Sequence, residues 1–216
     1  MNDQTAKPRR GCFFYGCISG AVLLVMVLGA LLLGLHYAKK MVIRFTDTKP
    51  MELPAVQMSQ AEMVQAKERF ETFQQAVREQ RATKPLTLTA DDINALIAGG
   101  DGQGTWKGKV HVSLEGDQLK GEVSVPLQDV GLSVFAGRYL NGSATFNLSF
   151  KDGRLSVTPG TIQVKGEPLP EFYVREIRKQ NLAGALTNDP GAAQVLKGLE
   201  EIQVQDGKLV ISPKQQ

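Results

Sequence analysis

Residues 106–127 read WKGKVHVSLEGDQLKGEVSVPL, and the period of that stretch is two. Trp106, Gly108, Val110, Val112 and Leu114 fall on one side; Lys107, Lys109, His111 and Ser113 fall on the other. After Glu115-Gly116-Asp117-Gln118 the alternation resumes through Leu119, Gly121, Val123, Val125 and Leu127. Successive side chains of a strand point to opposite faces, so the pattern predicts a hairpin with one apolar face and one wet face.

The same pattern recurs downstream. Ala144, Phe146, Leu148 and Phe150 lead into Lys151-Asp152-Gly153-Arg154, and Leu155, Val157, Ile162 and Val164 follow. A third hairpin is expected from Ile202 and Val204, then Asp206-Gly207, then Leu209 and Ile211. Asp-Gly supplies the positive φ angles of a tight hairpin turn. That shared turn chemistry also explains why Asp152-Gly-Arg-Leu-Ser-Val157 and Asp206-Gly-Lys-Leu-Val-Ile211 look like a repeat.

Upstream the period lengthens. Ser59 with Glu62 is a capping box, after which Met63, Ala66, Phe70, Phe73 and Val77 recur every three or four positions. This predicts a helix over 59–82 whose apolar stripe packs against its own sheet. The spacing also suits a coiled-coil seam, which makes Met63, Phe70, Phe73 and Val77 candidates for pairing with a partner. In Pro85-Leu-Thr-Leu-Thr-Ala-Asp-Asp-Ile-Asn-Ala-Leu-Ile97, Leu86 and Leu88 read as a short strand. Thr89 is an N-cap and Asp92 sits at N3, where a negative charge suits the helix dipole. Ile93, Leu96 and Ile97 are the expected buried face, with Gly99-Gly100 as the stop. Two later helices are expected, over Pro168–Leu186 and Gly191–Leu199. The sum is α+β, pictured as one curved antiparallel sheet packed on amphipathic helices.

Ahead of this domain lies ISGAVLLVMVLGALLLGLHYA, Ile18–Ala38, with no acidic or permanently charged side chain. As a helix it would be about 30 Å long, the thickness of a bilayer's hydrocarbon core. The core is longer than that of a cleavable signal peptide, and its exit Leu35-His36-Tyr37-Ala38 lacks a small-x-small site. Cys12 and Cys17 precede the apolar run, so they do not fit a lipoprotein. The expectation is a signal anchor crossing the membrane once. The resulting boundaries are a short cytoplasmic tail over 1–17, the span over 18–38, a juxtamembrane linker over 39–58, and one extracytoplasmic domain over 59–216. Lysine and arginine do not decide the sidedness: Lys7, Arg9 and Arg10 precede the span, and Lys39, Lys40, Arg44 and Lys49 follow it. The shortness of the tail favours the stated orientation.

Chemistry is sparse. The net charge of +3 is mixed in sign with no long like-charge run, so no nucleic-acid partner is expected. With two histidines and two cysteines, neither a zinc site nor a triad is expected. Gly99-Gly-Asp-Gly-Gln-Gly104 follows a helix and precedes a strand, the reverse of a phosphate loop, and reads as a connector. No cofactor is expected, and the chain reads as a non-enzyme.

The single anchor, the phrase Leu86-Thr-Leu-Thr-Ala-Asp-Asp-Ile-Asn-Ala-Leu-Ile97 and the one-sided strands with Asp-Gly turns together resemble the YpmS-like bacterial envelope proteins. Those are distantly similar to the tubular lipid-binding superfamily. The resemblance implies a curved sheet and a long helix that leave a groove for lipid or another apolar ligand. Val110, Val112, Val123, Val125, Phe146, Leu148 and Phe150 would line it; in a closed core the same residues would simply be filled in. The alternative is a scaffold that pairs with an envelope partner through the helix 59–82.

Overall fold

A computed structural model of the chain describes residues 12–99 and 106–215. Residues 1–11 of the expected tail over 1–17, and Gly100–Gly104 of the expected connector Gly99–Gly104, lie outside the described residues. The chain divides into two units between Phe45 and Thr46.

Among the described residues the first unit holds one helix, α1 (Cys12–Arg44), which outlasts the expected span at both ends. Its stretch Leu23–Arg44 is long and apolar enough to cross a membrane. The apolar side chains there are bare, Leu33 at 72 % exposure among them. In water that surface would be strongly unfavourable; in hydrocarbon it is at home.

The second unit, from Thr46 on, is α+β with two antiparallel sheets. It contains α2 (Gln60–Arg78), β1 (Leu86–Leu88), α3 (Ala90–Gly99), β2 (Val110–Glu115), β3 (Gln118–Pro126), β4 (Tyr139–Lys151), β5 (Arg154–Val164) and β6 (Glu167–Pro168). After these come α4 (Glu171–Arg178), α5 (Gly184–Asn188), α6 (Pro190–Lys197), β7 (Leu199–Gln205) and β8 (Lys208–Pro213). Strands β2 to β6 pair in sequence order as a five-stranded meander, while β1-β8-β7 form a separate three-stranded sheet. The single sheet of the sequence reading is therefore two. The reason is visible at the meander's edges, which side chains already occupy. At β2, Asn94 bonds both backbone groups of Val112. At β5, Asn181 bonds Val157 N and Leu155 O, and Arg178 bonds the carbonyls of Pro159 and Gly160. The last hairpin finds no free ladder there and pairs instead with β1, Leu86 opposite Ile211.

All three expected hairpins form. Asp152-Gly153 and Asp206-Gly207 each hold positive φ at both turn positions, and Gly116 turns the first hairpin at φ +58. A further turn of the same kind, Lys165-Gly166, joins β5 to β6. The helix expected over Pro168–Leu186 is broken. Its start is β6, and the stretch between α4 and α5 is irregular because Asn181 turns inward to serve the β5 edge. The helix expected to run to Leu199 stops at Lys197, and Leu199 opens β7.

The core lies on the three-stranded sheet. Phe73 and Val77 of α2 meet Leu86 and Leu88 of β1, Leu155 of β5, Val195 and Leu196 of α6, and Leu199, Ile202 and Ile211. Helix α2 begins as expected, with Ser59 Oγ accepting from Glu62 N and the Glu62 carboxylate accepting from Ser59 N at 2.7 Å. The side-chain bond from Ser59, and then the backbone bond, hold the exposed Glu62 carboxyl below the ordinary glutamate value. A folded-state value that is depressed gives stability present above the ordinary pKa and lost as pH falls through the lowered one. An NMR titration should therefore find Glu62 titrating low in the native chain and nearer its ordinary value in Ser59→Ala. Identical midpoints would mean that the box does not form.

The stretch 39–58 is not a uniform linker. Helix α1 continues to Arg44, and Thr46–Met51 is strapped to the polar face of β3 and β4. Asp47 pairs with Tyr139 as a β-bridge, with N···O distances of 2.9 and 2.8 Å. Arg138 donates to Thr46 Oγ1 and to Thr46 O, each at 2.6 Å. Buried Asn141 donates to Lys49 O and Asp47 Oδ2, while Met51 N donates to Ser124 Oγ and Asn141 Oδ1. Side chain to backbone bonds of this kind leave no hydropathy period to read.

Candidate functional site

The residues Thr89 to Asn94 act as a clasp. Thr89 Oγ1 accepts from Asp92 N at 3.1 Å, and the Asp92 carboxylate accepts from Thr89 N at 2.9 Å. This is the capping box with aspartate in place of glutamate. The other Asp92 oxygen accepts from Arg69 Nη2 of α2 at 2.6 Å, and Asp92 is only 5 % exposed. Two residues on, Asn94 donates to Val112 O at 2.7 Å and accepts from Val112 N at 2.8 Å. One short phrase thus caps α3, ties it to α2 and closes the free edge of β2. Of its acidic pair Asp92 serves structure, with both carboxylate oxygens engaged, while Asp91 is exposed.

A groove of about 820 Å³ opens between α2, α3 and β2, with Asn94 of the clasp in its wall. Its floor is apolar. Met63, Val64 and Phe70 come from α2, Leu96 and Ile97 from α3, and Val110 from β2; the segment Leu53–Val56 closes one side. Lys67, Glu71, Lys107 and His111 stand among the lining residues. Lys67 and Glu71 pair with each other at 3.7 Å across one helical turn. The volume falls in the range of small-molecule sites, and the lining combines a greasy floor with a few polar groups. Ile93, Leu96 and Ile97, the expected buried face of α3, are half-buried because Leu96 and Ile97 face this opening.

No family model, curated protein or solved structure matches the chain. The site therefore has to be read from its own chemistry. Among the described residues no three histidine, cysteine, aspartate or glutamate side chains gather so as to hold a metal ion.

The two sets of residues picked from sequence fare differently. Register places Val110, Val112, Val123, Val125, Phe146, Leu148 and Phe150 on one face of the meander, as Val110 opposes Val123 and Leu119 opposes Phe146. They do not line one groove. Val125 is buried, Leu148 and Phe150 pack against the core, and the Phe146 ring lies over Gly121, where an added Cβ would come within 2.9 Å. Val112 and Val123 are half-buried, and Val110 alone lines the opening. Of the α2 stripe, Phe73 and Val77 belong to the core, whereas Met63 and Phe70 line the groove. The site thus draws on both sets and adds Leu53, Val56, Val64, Leu96 and Ile97. Leu96 and Ile97 were visible as an apolar helix face. Leu53 and Val56 carry no periodic signal.

Proposed function

We propose that this chain is a non-enzymatic, single-pass membrane protein of the bacterial envelope whose extracytoplasmic domain binds an acyl chain or similar apolar ligand in the groove between α2, α3 and β2. The observation that carries the reading is that groove: about 820 Å³, open, and floored by Met63, Val64, Phe70, Leu96, Ile97 and Val110. A stretch long and apolar enough to cross a membrane, Leu23–Arg44, supports the anchor. The resemblance to YpmS-like envelope proteins supports the ligand class. An apolar ligand needs contact area more than directed hydrogen bonds, and those six apolar side chains supply that area.

Val64 is the residue to change, because it is 47 % exposed and lines the groove without belonging to the core. Val64→Asp puts a charge against any bound hydrocarbon while leaving the fold alone. The unit from Thr46 to Gln216, purified without α1, should carry extractable acyl lipid. Val64→Asp should retain about tenfold less, equivalent to roughly 1.4 kcal/mol. Equal lipid in both, or none in the native unit, would overturn the reading. A start at residue 46 matters, since a later cut removes the strap.

A further inference from the structure

Between β3 and β4 runs a closed loop built from two short 3-10 turns, Leu127–Val130 and Ser133–Phe135. Leu127 is buried at 4 % exposure and fastens the base, where its N–H donates to Arg138 O at 2.8 Å. Leu132 N donates back to Leu127 O at 2.9 Å, and Gly131 and Gly137 turn the chain at φ +83 and +78. The tip is apolar and bare. Val130 is 48 % exposed, Leu132 46 % and Val134 86 %, and no charged residue occurs from Val130 to Gly137. Single exposed aliphatic residues are ordinary on a protein surface. Three at alternate positions on one hydrogen-bonded tip are a directed feature.

The base of this loop is fastened to the start of the second unit. The Arg138 guanidinium donates to both the hydroxyl and the carbonyl of Thr46, and Tyr139 is bridged to Asp47. Thr46 follows Arg44, the last residue of α1, by two positions, so at most about 7 Å of extended backbone separates them. A loop tied to that point of the chain cannot be carried far from a bilayer that α1 crosses. We infer that Val130, Leu132 and Val134 insert into the interfacial layer of that bilayer and act as a second, reversible membrane contact for the domain. The inference rests on reading α1 as a membrane span. Physically it matches the shallow insertion of apolar side chains at the headgroup boundary.

The test uses the full chain with Cys12→Ser and Cys17→Ser, carrying one added cysteine labelled with an environment-sensitive fluorophore. Vesicles are phosphatidylcholine with a minor share of phosphatidylglycerol; one set carries a nitroxide lipid near the headgroup, read at 134 and 117, and a second carries the nitroxide near the end of the acyl chain, read at Leu28. Three positions are compared: Val134→Cys on the tip, Asp117→Cys at the opposite end of β3, and Leu28→Cys in α1. Quenching at 134 should exceed that at 117 by about threefold, with Leu28 also quenched. If Leu28 is quenched while 134 responds no more than 117, the loop inference fails and the span stands. If Leu28 is not quenched, the span fails and the inference falls with it. Val134 makes few contacts, so its replacement leaves the fold in place.

Discussion

Phe73→Ala should lower the unfolding free energy of the domain by about 3–5 kcal/mol, the usual cost of deleting a buried phenylalanine and leaving a cavity. Phe73 is 5 % exposed and lies among Val77, Leu86, Leu88 and Ile211, where α2 covers the three-stranded sheet. For a unit of this size the loss corresponds to a melting point roughly 10–15 °C lower. Thermal or urea unfolding followed by circular dichroism would measure it. The result also separates the two readings of the α2 stripe. If Phe73 instead formed a seam with another protein, its removal would weaken that association and leave the isolated domain's melting point where it was.

The second large effect is expected at Asn94. Asn94→Ala removes both partners of Val112 at the edge of β2, stranding a donor and an acceptor that the clasp shields from water. A buried polar group left without a partner costs about 1–3 kcal/mol; Val112 is half-buried, so the two groups together should amount to about 2 kcal/mol. Asn94→Asp keeps the acceptor for Val112 N but faces its carbonyl with a carboxylate, and should be no better. Urea midpoints give the magnitude, and hydrogen exchange gives the place: Val112 N–H should exchange much faster in Asn94→Ala. An unchanged rate at Val112 would show that the edge is protected by something other than Asn94. The bare edge has a further cost, because an unpaired strand edge is a template for intermolecular pairing. The alanine variant should therefore also aggregate more readily.

Local features were the legible ones. The boxes at Ser59-Glu62 and Thr89-Asp92 follow from residues three apart, and the three hairpins follow from alternation broken by Gly-Asp or Asp-Gly. What escaped was non-local. Pairing of β8 with β1 joins Ile211 to Leu86 across most of the domain, and no short window records it. The strap, the Asn181 break and the edge clasps depend on single polar side chains reaching distant backbone, which hydropathy cannot register. One sign did lie in plain view. The apolar residues of β5 shift from odd to even positions between Val157 and Ile162. A bulge absorbs that shift, with the register slipping between Ala144 and Phe146. Pro159, which has no N–H to offer a ladder, sits opposite Phe146 there, and Gly160 leaves room for the Thr145 hydroxyl, 2.6 Å from where its Cβ would be. The groove was half legible. Its helix faces were marked, but the sheet face chosen for it is largely covered, because register tells which residues share a face and not what lies over them.

The strap also fixes how the domain would respond to force. Tension arriving along the chain from α1 meets the guanidinium of Arg138 at Thr46, then the Asp47–Tyr139 bridge, then the carboxamide of Asn141 at Lys49. Each of these lies upstream of α2, so a tug is absorbed by polar clamps on the outer face of the sheet before any of it reaches Phe73. A pull on the chain at α1 would therefore strain these clamps ahead of α2.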